Sequence, residues 1–265
     1  MALVRLADYR PAPYLLDRTD LTVQLHADHT EVVAQLAFRP NPAAGSVGGA
    51  PEPLVLQGVD LELVELHLDG RLLEPAAYQL GTNQLLIPDP PSGPFRLESR
   101  VRIHPETNTS LEGLYVSSGL FTTQCEAEGF RHITFHPDRP DLLSRFRVRI
   151  EAERASCPVL LSNGNCTSRG ELPEGRHFAV WADPFPKPSY LFALVAGDLT
   201  AREDTFTTHS GKAVSLKLWT RAGDTPKSAW AMRSIKKAME WDERRFGLEY
   251  DLSEFHVVAV SDFNM

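Results

Sequence analysis

The chain lacks long apolar runs, paired cysteine spacings and any surplus of basic charge. Its longest apolar stretch, Tyr190 to Gly197, is strand-sized. A membrane-spanning helix needs about 20 such residues, so no membrane span is expected. Residues Met1 to Asp8 hold no secretory apolar segment. The three cysteines, Cys125, Cys157 and Cys166, have no Cys-x-x-Cys spacing. They suit a reducing cytoplasm, the expected location, and read as buried structural thiols. Without a secretory segment, Asn108-Thr109-Ser110 and Asn165-Cys166-Thr167 read as chance glycosylation matches. There are 27 Lys and Arg against 35 Asp and Glu, a formal net charge of -8. No basic stripe is present to meet a phosphate backbone, so nucleic acid is not an expected partner.

Several catalytic signatures are missing as well. There is no Gly-x-Ser-x-Gly, and Gly45-Ser46-Val47-Gly48-Gly49 lacks the lysine of a phosphate loop. His132 and His136 have the spacing of a helical His-x-x-x-His pair. No Glu stands beside the first, however, and Pro137 follows the second. They read as solvated or hydrogen-bonded histidines.

What is present is a β pattern. Leu21, Val23 and Leu25 alternate with polar residues, as do Phe95, Leu97, Val101 and Ile103, and then Phe146, Val148 and Ile150. Period two means half-buried strands. The alternation changes phase at Leu63-Val64, which predicts a bulge. The stretches Pro40 to Pro53 and Ile87 to Pro94 read as turn-rich breaks, Asn163-Gly164 as a hairpin turn, and Asp183 to Tyr190 as a rigid connector. Many short strands between such breaks favour a sandwich or a strongly curved sheet.

The pattern changes after Asp198. The strand of Val214, Leu216 and Leu218 precedes a helix with Asp224 or Thr225 as its cap and Pro226 at its first position. Its apolar stripe is Ala231, Ile235, Ala238, Met239 and Phe246, interrupted by Asp242, and Gly247 ends it. A buried strand over Phe255 to Val260 follows. This strand–helix–strand order predicts the opening of an α/β unit. Two domains are expected: residues 1–197, rich in β-strand, and residues 198–265, an incomplete second unit. The latter is short for a core of its own, since domains most often reach about 100 residues.

The run from Thr123 to Arg131 stands out. Read as a strand continuing towards Phe135, it lines Gln124, Glu126 and Glu128 on one face and Cys125 and Ala127 on the other. Such a row is either a solvent-facing edge with Glu128 paired to Arg131, or an anchor for an ammonium group. An α-amino group has a pKa of ~7.7–8.0 and presents three donors. A carboxylate with an amide oxygen satisfies two of them through charge-assisted bonds.

Several blocks carry a resemblance that spans nearly the whole chain. They are Asn108 to Tyr115, Thr123 to Thr134, Asp138 to Asp141, Leu160 to Asn165, Asp183 to Pro188, Tyr190 to Asp198, Trp241 to Glu243, and Arg245 to Leu252. Together they resemble the bacterial aminopeptidase N family, zinc gluzincins that remove single amino-terminal residues from peptides. The resemblance implies a saddle-like β-sandwich domain, followed by the truncated start of a thermolysin-like α/β catalytic domain. It implies that Gln124 and Glu126 bind the substrate's free amino terminus. It also implies that Met265, matching the residue before the family's Gly-Ala-Met-Glu-Asn motif, lies against the first substrate side chain. His136 stands where the family commonly has Tyr.

That motif, the His-Glu-x-x-His helix with its distal Glu, and the catalytic Tyr are all missing from this sequence. The expectation is therefore a zinc enzyme as the whole protein. This part of it would be monomeric, bind no zinc, contain no catalytic residue and be inactive alone. The rival expectation is a stand-alone β-rich peptide-binding or adaptor module.

Overall fold

The computed structural model describes residues 5–44 and 51–263. Alternating apolar residues build its largest sheet. β1 (Tyr14–Leu25) and β2 (Thr30–Pro40) form a long antiparallel pair. Five shorter strands follow: β3 (Leu54–Gln57), β4 (Glu62–Leu68), β5 (Arg71–Leu72), β6 (Gln79–Leu80) and β7 (Gln84–Ile87). β8 (Phe95–Ile103) closes this part. The next strands are β9 (Gly113–Ser117), β10 (Leu120–Gln124), β11 (Arg145–Glu153), β12 (Val159–Ser162), β13 (Asn165–Glu171), β14 (Arg176–Ala182) and β15 (Leu194–Gly197).

The large sheet runs β13-β14-β11-β1-β2-β8-β4-β5. A second sheet is ordered β12-β15-β10-β9, and a small one β3-β7-β6. All contribute to one core, in which Leu21, Val23, Leu36, Val101, Ile150 and Trp181 are buried. The fold is mostly β, as expected. The predicted bulge is present: the β4–β8 register shifts between Leu63 and Glu65, leaving Val64 as the extra residue.

The Asn163-Gly164 turn is a correction. It does not join a hairpin, because β12 pairs with β15 and β13 pairs with β14. Gly164 has φ +86°, and a Cβ there would stand 2.2 Å from the Ala182 carbonyl oxygen. The glycine permits a tight passage from one sheet to another. Turn chemistry marks the bend, not the partner of the strand that follows.

The remainder is β16 (Thr200–Thr207), β17 (Ala213–Thr220), α1 (Ala229–Phe246) and β18 (Glu254–Val258). β18 lies parallel to β17, the strand–helix–strand arrangement that the sequence predicts. Gly247 ends α1 at φ +67°, its N–H donating to the Glu243 carbonyl at 3.0 Å.

Three details differ from expectation. First, α1 starts at Ala229 with no side-chain cap, and Pro226 sits in a preceding 3-10 stretch, Ala222–Ser228. Asp224 instead pairs with Arg221 at 3.0 Å and Lys227 at 2.7 Å. Second, the face of α1 packed on the sheet is Met232, Ile235 and Met239, meeting Phe206, Val214, Leu216 and Leu218. Ala231, Ala238, Asp242 and Phe246 are exposed. The helix carries two apolar stripes, and the sheet takes the one with the methionines. Third, β18 is half-buried throughout, because among the described residues it pairs with β17 alone, at the edge of its sheet.

Candidate functional site

The acidic run is not one strand. β10 stops at Gln124, the residues from Cys125 to Glu128 form a turn, and Gly129–His132 is a 3-10 turn. The stretch from His132 to Phe135 is not a strand either. Close packing sets the break. A Cβ on Gly129 would fall 2.4 Å from the Gln124 carbonyl oxygen, so the chain folds back against the end of its own strand. The Gly129 N–H donates to the Cys125 carbonyl at 2.9 Å, which closes the turn. Gly113, opposite Gln124 on β9, has φ +71°, and a Cβ there would meet the His132 Cβ at 2.5 Å. Glycine is required at both positions.

The predicted row of three acceptors on one face is therefore corrected. Gln124 is buried at 6% exposure, whereas Glu126, Ala127 and Glu128 are exposed. The Gln124 Oε1 accepts the backbone N–H of Glu126 at 3.1 Å. This bond fixes the turn that carries the Glu126 carboxylate, the peptide between Glu126 and Ala127 being cis. Glu128 pairs with Arg131 at 3.1 Å, the plain structural role open to it in the sequence. Met265 lies outside the described residues.

A buried network, unread in the sequence, supports the turn from beneath. The Arg131 Nε donates to the Asp138 Oδ2 at 3.1 Å, and the Ser189 Oγ donates to the Asp138 Oδ1 at 2.5 Å. The Asp138 N–H donates to the Gln57 Oε1 at 3.0 Å. Asp138 thus ties together three distant stretches. Asn108, read as a chance glycosylation match, donates to the Glu112 and Leu114 carbonyls at 2.8 and 2.9 Å and shapes the entry to β9.

The other candidates do not join the site. Burial pushes the Cys125 thiol far above its ordinary range, with the nearby Asp138 charge adding to it, so it is an inert core thiol. His132 meets Glu112 at 3.4 Å, while His136 is buried with its imidazole pushed down to about 4 by burial. Among the described residues, no group of three or more His, Cys, Asp or Glu is placed to hold a metal ion. These residues do not fit a zinc centre.

Comparison with known proteins decides the family. Residues 78–191 match the model of the Peptidase M1 N-terminal domain. The chain is 52% identical over 261 residues to aminopeptidase N of Caulobacter vibrioides and 48% identical over 259 residues to that of Escherichia coli. The chain carries a peptidase M1 N-terminal domain. These alignments cover 98% and 97% of the chain but 29% of each relative. The chain also superposes on a crystal structure of Legionella pneumophila aminopeptidase A in complex with aspartic acid. There the TM-score is 0.93 at 36% identity, covering 98% of this chain and 30% of that one. An M1 zinc metallopeptidase from Deinococcus radiodurans shares the fold, with a TM-score of 0.71 at 19% identity over 93% of this chain and 56% of that one.

Proposed function

We propose that this chain works as the amino-terminal part of a zinc-dependent aminopeptidase that removes single amino-terminal residues from peptides. In this reading it comprises a β-rich unit over residues 1–197 and the beginning of a catalytic unit over 198–265. It acts as a monomer in the cytoplasm. Its contribution is the anchor for the substrate's α-amine, with Met265 as part of the first side-chain pocket. The zinc and its chemistry have no ligand set among the described residues, so this chain alone is expected to bind none and to be inactive. One tightly held zinc per chain by elemental analysis would contradict that.

The observation that carries the reading is the pairing of Gln124 with Glu126. A buried amide ends β10 and pins the backbone that presents an exposed carboxylate two residues on. The pinned backbone sets the point from which the Glu126 side chain extends. Its carboxylate can accept a charge-assisted bond from an ammonium. Anchoring the amine fixes where the first peptide bond lies, and positioning of that kind accelerates hydrolysis by itself.

The test is Glu126→Ala in the protein that carries this chain. Its kcat/KM for free-amine substrates is expected to fall about tenfold or more, the worth of one bond to a charged group. An unchanged kcat/KM would remove Glu126 from the site.

A further inference from the structure

Three hydrogen bonds tie β9 to a single residue far along the chain. The Ser117 Oγ donates to the Asp262 Oδ2 at 2.7 Å and accepts the Asp262 backbone N–H at 3.1 Å. The Tyr115 hydroxyl donates to the Asp262 carbonyl at 2.8 Å. Both the backbone and the side chain of Asp262 are therefore held. Ser117 and Tyr115 are buried at 2% and 0% exposure, while Asp262 is exposed.

The register of β9 and β10 places this contact relative to the candidate site. Gly113 stands opposite Gln124, Tyr115 opposite Thr122, and Ser117 opposite Leu120. Directly opposed residues share a face of a sheet, as do alternate residues along a strand. Tyr115, Ser117 and Gln124 therefore project from the same face. Asp262 is therefore held on the face of the sheet from which Gln124 projects. Met265 follows in sequence two residues after Phe263.

We infer that Tyr115 and Ser117 are positioning residues that clamp the segment after β18 onto the Gln124 face, and so set the selectivity for the first side chain of the substrate. The selectivity part rests on the amine-anchor reading; the clamp itself does not. Neither residue needs to touch the substrate. They act through Asp262 by fixing the spacing between the amine anchor and the chain that leads to Met265. Both Asp262 contacts from Ser117 depend on one hydroxyl, so a single atom carries most of the clamp.

Ser117→Ala, Ser117→Thr and Tyr115→Phe test this with two independent readouts. Amide hydrogens of Asp262 and Phe263 are expected to exchange about tenfold or more faster in Ser117→Ala, since a bond to a charged carboxylate is lost. Ser117→Thr, which keeps the hydroxyl, is expected to restore protection. Tyr115→Phe keeps the buried ring and serves if Ser117→Ala does not fold. In the protein that carries this chain, the ratio of kcat/KM for alanine and arginine p-nitroanilides is expected to shift about fivefold or more in Ser117→Ala. The threonine variant should bring the ratio back. Unchanged exchange overturns the clamp. Faster exchange with an unchanged ratio overturns the selectivity role. A wild-type protein that cleaves neither anilide overturns the amine-anchor reading, while the exchange data still decide the clamp.

Discussion

The large sheet and the three-stranded sheet are built from the same alternation of apolar residues, yet they finish their burial differently. In the large sheet, Val23, Val32, Leu36, Val101 and Ile150 are all fully enclosed. In the smaller unit, Val214, Leu216 and Leu218 are enclosed by α1, but among the described residues α1 itself has only one covered side. Trp230 and Trp241 stand on its other side at 68% and 56% exposure. Alternation reveals that a strand has an inside. Helical spacing does not reveal how many neighbours a helix has, so a helix with apolar residues all round offers more than one plausible stripe.

The comparison can be broken first at the large core. Leu36→Ala is expected to cost about 2–5 kcal/mol, the range for truncating an enclosed aliphatic side chain. Urea denaturation measures it, and a loss under about 1 kcal/mol would mean that this core is loosely packed.

His136 comes next. Burial holds its imidazole neutral down to about 4, whereas in the unfolded chain it titrates near ~6.5. As pH falls through this window, the unfolded chain takes up a proton and the folded chain does not. Stability is therefore lost between about pH 6.5 and pH 4, by up to about 3 kcal/mol from this group. His136→Leu is expected to flatten that part of the stability profile relative to wild type. The same slope in both proteins would show that another group is responsible.

Met239→Ala probes the smaller unit. Its cost is expected near about 2 kcal/mol, the low end for a buried methionine, because Met239 lies at the edge of its cluster. Trp241→Ser should have the smallest effect, within about 0.5 kcal/mol by the same denaturation measurement, as expected for a surface change. A larger loss would show that the outer face of α1 is covered in solution.

Much of the fold was legible because the β signals are local. The strands around Leu21, Leu97 and Val148, the bulge at Val64 and the helix end at Gly247 each depend on a few neighbouring residues. The Asn163-Gly164 turn was read as a hairpin, wrongly, since strand pairing depends on residues far away. The break after Gln124 was hidden for a similar reason. It requires Gly129 to press against the strand end and Asp138 to anchor Arg131, and neither contact leaves a periodic mark. At the site, Gln124 and Glu126 came from the resemblance together with their carbonyl and carboxylate chemistry. Tyr115 and Ser117 were missed, because alternation on β9 says nothing of Asp262, which lies 147 and 145 residues away.

The most direct measurement of the amine anchor compares two substrates that differ only in the group Glu126 would hold. These are alanine p-nitroanilide and the matching lactic acid p-nitroanilide, in which a hydroxyl replaces the amine. Wild-type protein carrying this chain is expected to prefer the amine strongly, and Glu126→Gln to shrink that preference about tenfold or more. A preference that is the same in both proteins would contradict the anchor.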